Sequence, residues 1–303
     1  MLDSELLMAV QYKMPISTTP IEDLADEIGR NPEDIIKKLR EYRALGILKR
    51  YGANMNYRAF PNYRQSSLIG FKISEEKARK INELGERVKH NFLRDAEFNV
   101  WFTLKGRNVE EVRQIAEKLA KELGAEDFVF LPTKRVYKMD VKYDLQKGIS
   151  WSYGVEPENI ASLSELGLDE GIKILENLPI SKRPFRDLGL DEEYSVDLIR
   201  ELIKKGVVRD FSAVLSERGI GFNFNSMVVL KTRNPEAVAK KLLSFPQITH
   251  LIERIPSEKW FYPVYFMVHA VDRDRIESFA KRVLEIPEIE EMRLVYSRGS
   301  LKP

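Results

Sequence analysis

The chain has 303 residues, a length that favours about two domains or a pair of similar halves. It contains 49 Lys plus Arg and 47 Asp plus Glu, and the resulting net charge of +2 excludes the overall basic excess of a protein that coats nucleic acid. The absence of Cys excludes disulfides, thiolate zinc sites and cysteine-ligated iron–sulfur clusters. Abundant Lys, Glu and Arg without Cys is a composition typical of thermophilic proteins.

The sequence gives no reason to expect a membrane protein. Its longest apolar stretch, residues 260–271, contains Pro263 and is well short of the ~20 residues that span a bilayer. The first ten residues carry Asp3 and Glu5 where a signal peptide has a basic region. We therefore expect a cytoplasmic protein with no membrane partner.

The first sixty residues predict a helix-turn-helix followed by a strand. A capping box at Thr19 begins one helix, which ends at Gly29. Asn31 begins a second helix with an apolar stripe at helical spacing, and Gly46 ends it before a strand over residues 47–55.

An alternation of strands and helices follows this region. In the first half, strands are predicted over residues 67–73, 98–104 and 133–143, with helices over residues 75–88 and 109–123. In the second half, strands are predicted over residues 227–231, 248–253, 262–270 and 292–296, with helices over residues 235–243 and 273–284. The order in the second half is βαββαβ, that of a ferredoxin-like unit, and we expect the first half to match it.

The two halves repeat each other at an offset of 160 residues. Residues 46–53, Gly-Ile-Leu-Lys-Arg-Tyr-Gly-Ala, are echoed by residues 206–213, Gly-Val-Val-Arg-Asp-Phe-Ser-Ala. His90 and Arg94 correspond at the same offset to His250 and Arg254. We predict an α+β fold built as a tandem repeat of a winged helix-turn-helix and a ferredoxin-like unit. The predicted domains are residues 1–60, 61–145, 169–220 (a degenerate helix-turn-helix) and 221–303, with a linker over residues 146–168.

A helix-turn-helix also raises the hypothesis of a DNA-binding regulator. Several basic residues on its second helix are placed to meet phosphates. However, the first turn of that helix, which has to approach the edges of the DNA bases, contains the acidic Glu33 and Asp34. The equivalent helix in the second half begins with a run of acidic residues, so DNA binding is the less favoured hypothesis. The basic residues on the first-half helix are Lys37, Lys38, Arg40 and Arg43.

Residues 88–104 concentrate the side chains that can act on a ligand. They combine an imidazole, a guanidinium and two amides with aromatic rings, a mixture that suits a large flat ligand bearing carboxylates. The three His have no metal-ligand spacing, and no phosphate-binding or zinc-protease motif is present. The residues concerned are His90, Asn91, Arg94, Asn99 and Trp101.

These segments resemble the siroheme decarboxylases, two-subunit enzymes of alternative heme and heme d1 synthesis whose halves are built like Lrp/AsnC regulators. In the first half the resemblance lies in residues 46–53, 90–94 (His-Asn-Phe-Leu-Arg), 98–104 (Phe-Asn-Val-Trp-Phe-Thr-Leu) and 131–138. In the second half it lies in residues 182–185, 206–209, 266–270 (Phe-Met-Val-His-Ala) and 295–298. The chain is similar to the form in which both subunits are fused.

The resemblance implies a carboxy-lyase that removes CO₂ non-oxidatively from two acetate side chains of siroheme. It implies catalytic roles for His90, Arg94 and His250, with His90 as the proton donor. Siroheme carries its own iron and electron sink, so no separate cofactor and no protein metal site are expected. The predicted substrate-binding residues are Arg50, Asn91, Asn99, Trp101, Lys134, Arg135, Arg209, Arg254 and Arg298.

Several alternatives stay open at this point. The second half has Asp210 where the first has Arg50, which favours one working cavity dominated by the first half or two of unequal strength. The two halves are expected to act as an internal heterodimer, and the sequence leaves open whether the chain also forms a homodimer. An Lrp-type regulator and a tetrapyrrole sensor without chemistry are the competing functions.

Overall fold

The computed structural model describes residues 1–302 and shows a mixed α/β protein. The helices are α1 (Ser4–Tyr12), α2 (Pro20–Glu27), α3 (Pro32–Ala44), α4 (Glu75–Ala78), α5 (Val109–Leu123), α6 (Pro184–Asp187), α7 (Glu192–Lys204), α8 (Pro235–Leu242) and α9 (Arg273–Val283). The strands are β1 (Leu48–Met55), β2 (Gln65–Lys72), β3 (Val88–Arg94), β4 (Val100–Gly106), β5 (Asp127–Met139), β6 (Tyr143–Asp144), β7 (Ile149–Ser150), β8 (Val208–Leu215), β9 (Phe224–Lys231), β10 (His250–Arg254), β11 (Val264–Ala270) and β12 (Glu291–Ser300).

The chain forms two compact units, each assembled from both halves of the sequence. Unit 1 comprises Met1–Phe60 and Asp140–Asn223, and unit 2 comprises Pro61–Met139 and the chain from Phe224 onward. The chain passes from one unit to the other after Phe60, Met139 and Asn223. In the described residues, no helix combines the length and the apolar character needed to cross a membrane.

Unit 1 contains the predicted helices α2 and α3. The Asn31 side chain accepts hydrogen bonds from the backbone N–H groups of Glu33 and Asp34, so the predicted cap of α3 is confirmed. Thr19 does not cap α2 as predicted, because its hydroxyl donates to the carboxylate of Asp23 at 3.1 Å. Helix α1, whose first turn is capped by the side chain of Asp3, was not predicted from the sequence.

The second copy of this motif lies in the same unit. Its first helix is shortened to α6, as expected from the degenerate sequence, whereas α7 has the full length of α3. Strands β1 and β8 pair antiparallel in a reciprocal register, in which Tyr51 faces Ala213 and Ala53 faces Phe211. Two similar segments that contact each other through the same surface obey an approximate twofold symmetry, as in a dimer.

The predicted linker, residues 146–168, is instead an integral part of unit 1. It contains β7 and contributes the carboxylate of Glu156, whose side chain is 1% exposed. This carboxylate accepts hydrogen bonds from Arg209 at 2.9 and 3.0 Å and from Asn56 at 2.8 Å. Because a buried charge needs such partners, the segment is held in one defined position.

Unit 2 contains a closed antiparallel barrel of eight strands. Around the barrel the strand order is β10-β5-β2-β4-β3-β12-β9-β11, and β11 pairs back with β10. Each half contributes four strands; numbered in chain order within the half, they lie side by side in the order 4-1-3-2. The β5–β10 and β3–β12 ladders join the two halves. Strand β5 begins six residues before its predicted start. In place of the predicted long helix over residues 75–88, the short α4 is followed by a 3-10 helix over Arg79–Arg87.

The strands of the barrel have two apolar faces because successive side chains alternate in direction. The outer face of the first half packs beneath α5, where Phe71 and Phe102 lie in one buried cluster with Val112. The inner face contains a second cluster that includes Trp101 and Trp260, whose rings lie 5.0 Å apart. Polar and charged side chains occupy other positions on this same inner face.

Candidate functional site

His90 and His250 lie together on the inner face of the barrel. Phe92 pairs across β3 and β4 with Trp101, a member of the inner cluster, and the ring of His90 lies 6.0 Å from that of Phe92. His250 pairs with Met267, which packs against the same cluster. The imidazole centroids are 6.2 Å apart at an angle of 82°. The offset that aligned the two histidines in sequence therefore brings them together in space.

Arg94 and Arg254 are buried on the same inner face, one from each half. Arg94 donates to the carbonyl of Val295 at 3.0 Å and to the side chain of Asn225 at 3.4 Å. Arg254 donates to the hydroxyl of Thr133 at 2.9 Å. Each arginine thus bonds to a residue of the opposite half.

The guanidinium of Arg254 lacks a counterion in unit 2. Its Nε has no hydrogen-bond partner, and no acidic side chain of residues 1–302 forms an ion pair with it. Burial lowers the pKa of Arg254 to about 10, and the ring of Tyr265, 5.4 Å from the guanidinium carbon, gives only a weak compensation. A buried cation that is not compensated by the protein favours an anion as ligand.

His90 is surrounded by positive charge. Burial is the main cause that lowers its pKa well below the ordinary value, followed by the charge of Lys89, by His250, and by the charges of Lys105 and Arg94. In the unliganded protein the imidazole is therefore neutral at neutral pH. The hydroxyl of Thr249 lies 2.9 Å from Nδ1 of His250 and orients that second ring.

Three further polar residues of the inner face were missed by the sequence analysis. Each is less than a tenth exposed: Lys105, Asn225 and His269. Each is two positions from an inward-facing residue of its strand, namely Thr103, Met227 and Met267 respectively. Asn225 and His269 are cross-strand partners on β9 and β11. The period-2 pattern of Trp101, Thr103 and Lys105 was a signal that could have identified Lys105 before the structure.

Three of the ligand-binding residues predicted within residues 88–104 form hydrogen bonds to the backbone of the protein. Asn99 exchanges two hydrogen bonds with the backbone of Ile73, at 2.7 and 3.0 Å. Asn91 is fully buried on the outer side and donates to the carbonyl of Ala78. Trp101 is 1% exposed and donates to the carbonyl of Phe98, so it belongs to the core of the barrel.

The predicted clamps Lys134, Arg135 and Arg298 have largely exposed side chains in unit 2. Lys134 forms an ion pair with Glu253 at 2.7 Å, and its side chain is 63% exposed. The other two form exposed ion pairs, Arg135 with Glu236 at 3.7 Å and Arg298 with Asp95 at 3.2 Å. Exposed pairs of this kind contribute little to stability, so these side chains are available to change partners.

Arg50 and Arg209 belong to unit 1, whereas His90 and Arg94 belong to unit 2. Arg50 donates to the side chain of Asn54 at 2.8 Å and to a backbone carbonyl. Arg209 holds the buried carboxylate of Glu156 described above. The structure therefore does not group these arginines with Arg94 and Arg254 in one barrel, and their role in binding stays a prediction.

The described residues contain no group of three or more His, Asp or Glu side chains arranged to hold a metal ion. What the inner face offers is a neutral imidazole, a second imidazole in contact with it, and buried cations from both halves. This set of groups can bind carboxylates and exchange a proton with a bound molecule.

Comparison with known proteins identifies the barrel. The model of the AsnC-like ligand binding domain matches residues 63–138 and 219–302, which together make up more than half of the chain. The siroheme decarboxylase of Hydrogenobacter thermophilus is 24% identical, over 98% of this chain and 92% of that protein.

A shorter relative is more similar, and a solved structure shares the fold. The siroheme decarboxylase beta subunit of Methanosarcina barkeri is 31% identical over 135 residues, which cover 89% of that subunit and 43% of this chain. The crystal structure of the siroheme decarboxylase NirDL in co-complex with an iron-uroporphyrin III analogue is similar over 98% of this chain and 91% of that chain, with a TM-score of 0.64 and 23% identity. The chain therefore belongs to the siroheme decarboxylase family and contains two AsnC-like ligand binding domains in one polypeptide.

Proposed function

We propose that this protein is a siroheme decarboxylase, a carboxy-lyase that removes CO₂ from two acetate arms of siroheme. The observation that carries the proposal is the meeting of His90 and His250 on the inner face of the barrel, between buried arginines from both halves. The relatives that match almost the whole chain are named for this activity. The inner face provides charges and a proton donor, the two things that this reaction needs from a protein.

The buried arginines explain how a substrate with many carboxylates is bound. Arg254 pays a desolvation penalty that no acidic residue offsets in the unliganded barrel. A carboxylate placed against its free Nε would provide a charge-assisted hydrogen bond and remove that penalty. Arg94, at the corresponding position of the first half, would hold a second carboxylate and fix the orientation of the macrocycle.

The chemical step needs no oxidant. The bond between the carboxylate carbon and the methylene carbon breaks, CO₂ leaves, and the electron pair stays on the methylene carbon, where the conjugated macrocycle of the substrate delocalises it. A proton delivered to that carbon then completes a methyl group. We assign the proton to His90, since an imidazole is the side chain that exchanges protons most readily near neutral pH.

The charges around His90 couple this proton to substrate binding. In the unliganded protein burial, together with the neighbouring cations, holds the pKa of His90 low. Bound carboxylates would offset the charges of Lys105 and Arg94, so the pKa would rise and the imidazole would take up a proton. The donor is then charged only when a substrate is in place.

We infer that both halves serve one shared site. The two imidazoles are too close together to act in separate cavities that each enclose a macrocycle. This arrangement agrees with an internal heterodimer in one chain, and the beta subunit of Methanosarcina barkeri aligns with less than half of it. A separate cofactor is not required by this proposal, because siroheme brings its own iron and conjugated system.

We further interpret each half as a winged helix-turn-helix joined to a ferredoxin-like unit that no longer binds DNA. On α3, Arg40 donates to the carbonyl of Ile180, and Arg43 donates to the carbonyl of Leu178. On α7, Arg200 donates to the carbonyl of Ile16. Arginines that hold backbone carbonyls within unit 1 are not available for phosphates, which argues against the regulator hypothesis.

The decisive experiment is anaerobic incubation of the protein with siroheme, followed by mass analysis of the tetrapyrrole. We expect the successive loss of two CO₂ molecules and a product with two methyl groups in place of acetates. Tight binding of unchanged siroheme would contradict the proposal and identify a tetrapyrrole sensor. Absence of binding would refute both.

A further inference from the structure

Lys105 and His269 occupy equivalent positions in the two halves of the barrel. Each is the sixth residue of a seven-residue strand, β4 or β11, and each follows an aromatic residue of the inner cluster by four positions. Lys105 is 8% exposed and His269 is 7% exposed. The approximate twofold symmetry of the barrel therefore places unlike titratable groups at matching points.

Each of these residues is connected to the arginine of the opposite half through polar residues on the strands between them. Lys105 pairs across the sheet with Ser66, whose hydroxyl is 3.1 Å from that of Thr133, the residue to which Arg254 donates. On the other side, His269 pairs with Asn225, to which Arg94 donates. The inner face thus has two similar polar ends, one with Arg254 and Lys105 and the other with Arg94 and His269.

The two ends differ in charge. A lysine keeps its charge at neutral pH, and Lys105 is close enough to lower the pKa of His90. At the corresponding point His269 has an imidazole in place of the ammonium group and is a weaker partner for a carboxylate. An anionic ligand that lacks twofold symmetry can therefore bind in two orientations that differ in energy, although the rest of the site is nearly symmetric.

We propose that Lys105 is a specificity-determining residue that binds an acetate arm of the tetrapyrrole together with Arg254. By doing so it fixes which acetate lies beside His90, and His269 at the equivalent point does not substitute for it. This inference rests on the proposed function, since it takes the ligand to be an acetate-bearing tetrapyrrole. An acetate is the arm assigned because Lys105 lies near the proposed proton donor.

Binding tests the inference without turnover. Iron uroporphyrin carries acetate and propionate arms, whereas iron coproporphyrin has methyl groups in place of the acetates. In absorbance titrations, Lys105→Met should weaken binding of iron uroporphyrin roughly tenfold to a hundredfold, the effect of losing one charge-assisted hydrogen bond. Binding of iron coproporphyrin should change little. Lys118→Met, on the exposed side of α5, is the matched control and should leave both affinities unchanged.

The outcomes of this titration separate the alternatives. An equal fall for both porphyrins would overturn the acetate assignment, and unchanged binding of both would remove Lys105 from the site. Lys105→Arg should restore most of the selectivity for iron uroporphyrin, which a merely structural role for the lysine does not predict. Circular dichroism of each variant checks that the fold is retained.

Orientation is tested with siroheme itself, sampled within a single turnover. The wild-type protein should release CO₂ from one particular acetate first, so that one mono-decarboxylated isomer accumulates. Lys105→His makes the two ends alike and should yield two isomers in comparable amounts. A single unchanged isomer from this variant would overturn the inference. If the wild-type protein releases no CO₂, the proposed function fails, while the porphyrin titrations still decide the role of Lys105.

Discussion

The imidazoles of His90 and His250 lie 6.2 Å apart, edge to face, although they come from different halves of the chain. Each stands on the second strand of its four-stranded half, and the β5–β10 and β3–β12 ladders bring these strands into one barrel. Under the proposed function, we therefore expect the two histidines to face the same bound molecule. The idea of a weaker second cavity around His250 rested on Asp210, which lies in the other compact unit.

Removal of either histidine should impair the same reaction. His90→Ala is expected to retain siroheme and to lose turnover by roughly 10²- to 10⁴-fold, the usual effect of removing a general acid. His250→Ala should also slow both decarboxylations because its ring contacts that of His90. In the double variant the losses should not add, since residues in contact are coupled.

Rapid-quench time courses of the two CO₂ losses measure this coupling. Additive losses, with a mono-decarboxylated product that accumulates in only one single variant, would point to two independent cavities.

The stability of the unliganded protein should fall as the pH falls below the ordinary pKa of histidine. Because the pKa of His90 is lowered in the folded state, the unfolded chain binds a proton below a pH of about 6.5 while the folded protein does not. The free energy of unfolding therefore falls as the pH is lowered, and this decline levels off once the pH is below the pKa of His90 in the folded state. Urea denaturation at several pH values should show a smaller decline for His90→Gln than for wild type. An equal decline in both proteins would mean that His90 titrates normally.

Substrate binding should be accompanied by proton uptake. Carboxylates offset the cations near His90 and raise its pKa, so a proton should be taken from the buffer at neutral pH. Calorimetric titrations with iron uroporphyrin in buffers of different ionisation enthalpy measure the number of protons. The His90→Gln variant should take up fewer protons, and an unchanged number would place the proton elsewhere.

Arg254 should limit stability while it provides affinity. In Arg254→Met, a buried cation without a counterion is replaced by an apolar side chain, so the free energy of unfolding should be unchanged or higher. Affinity for siroheme should fall by about 1.5–3 kcal/mol, because a carboxylate loses its charged partner. Denaturant unfolding and absorbance titration measure the two effects.

Arg209 provides the matched control for this variant. It is a mostly buried arginine with a carboxylate partner, Glu156, in unit 1. Arg209→Met should destabilise the protein by about 3 kcal/mol, because the buried carboxylate then keeps only Asn56 and the longer, 3.4 Å ion pair with the partly exposed Arg58. If Arg254→Met were equally destabilising, Arg254 would be a structural residue rather than a binding residue.

Duplex DNA should not be bound specifically at ~0.15 M salt, a condition at which phosphate contacts still supply affinity. Arg40 and Arg43, the bases best placed to meet phosphates, hold carbonyls of unit 1 instead. Footprinting on the protein's own promoter measures specific binding, and a reproducible footprint at nanomolar protein would contradict the prediction. Arg40→Ala should lower the free energy of unfolding by about 1 kcal/mol, as expected for a lost hydrogen bond.

Local sequence patterns were enough to predict many of the secondary-structure elements and the internal repeat. The predicted start of α3 at Asn31 and the full span of α5 were correct, because capping groups and helical periodicity act over a few neighbouring residues. The matching offsets of the histidines and arginines also followed from the sequence alone. So did the family, since motifs are read along the chain.

Which side chains lie together in the candidate site depends on contacts between distant parts of the chain. Asn91 follows His90 in sequence, yet it bonds to the backbone carbonyl of Ala78 because its strand position faces away from the inside of the barrel. Asn99 lies just before β4 and exchanges its hydrogen bonds with the backbone of Ile73. Lys105 and Arg254 come from distant parts of the chain, and the closure of the barrel brings them onto one inner face. The direction of a side chain depends on strand register and on pairing between the halves. Both are set by contacts between distant segments, which a local sequence pattern does not contain.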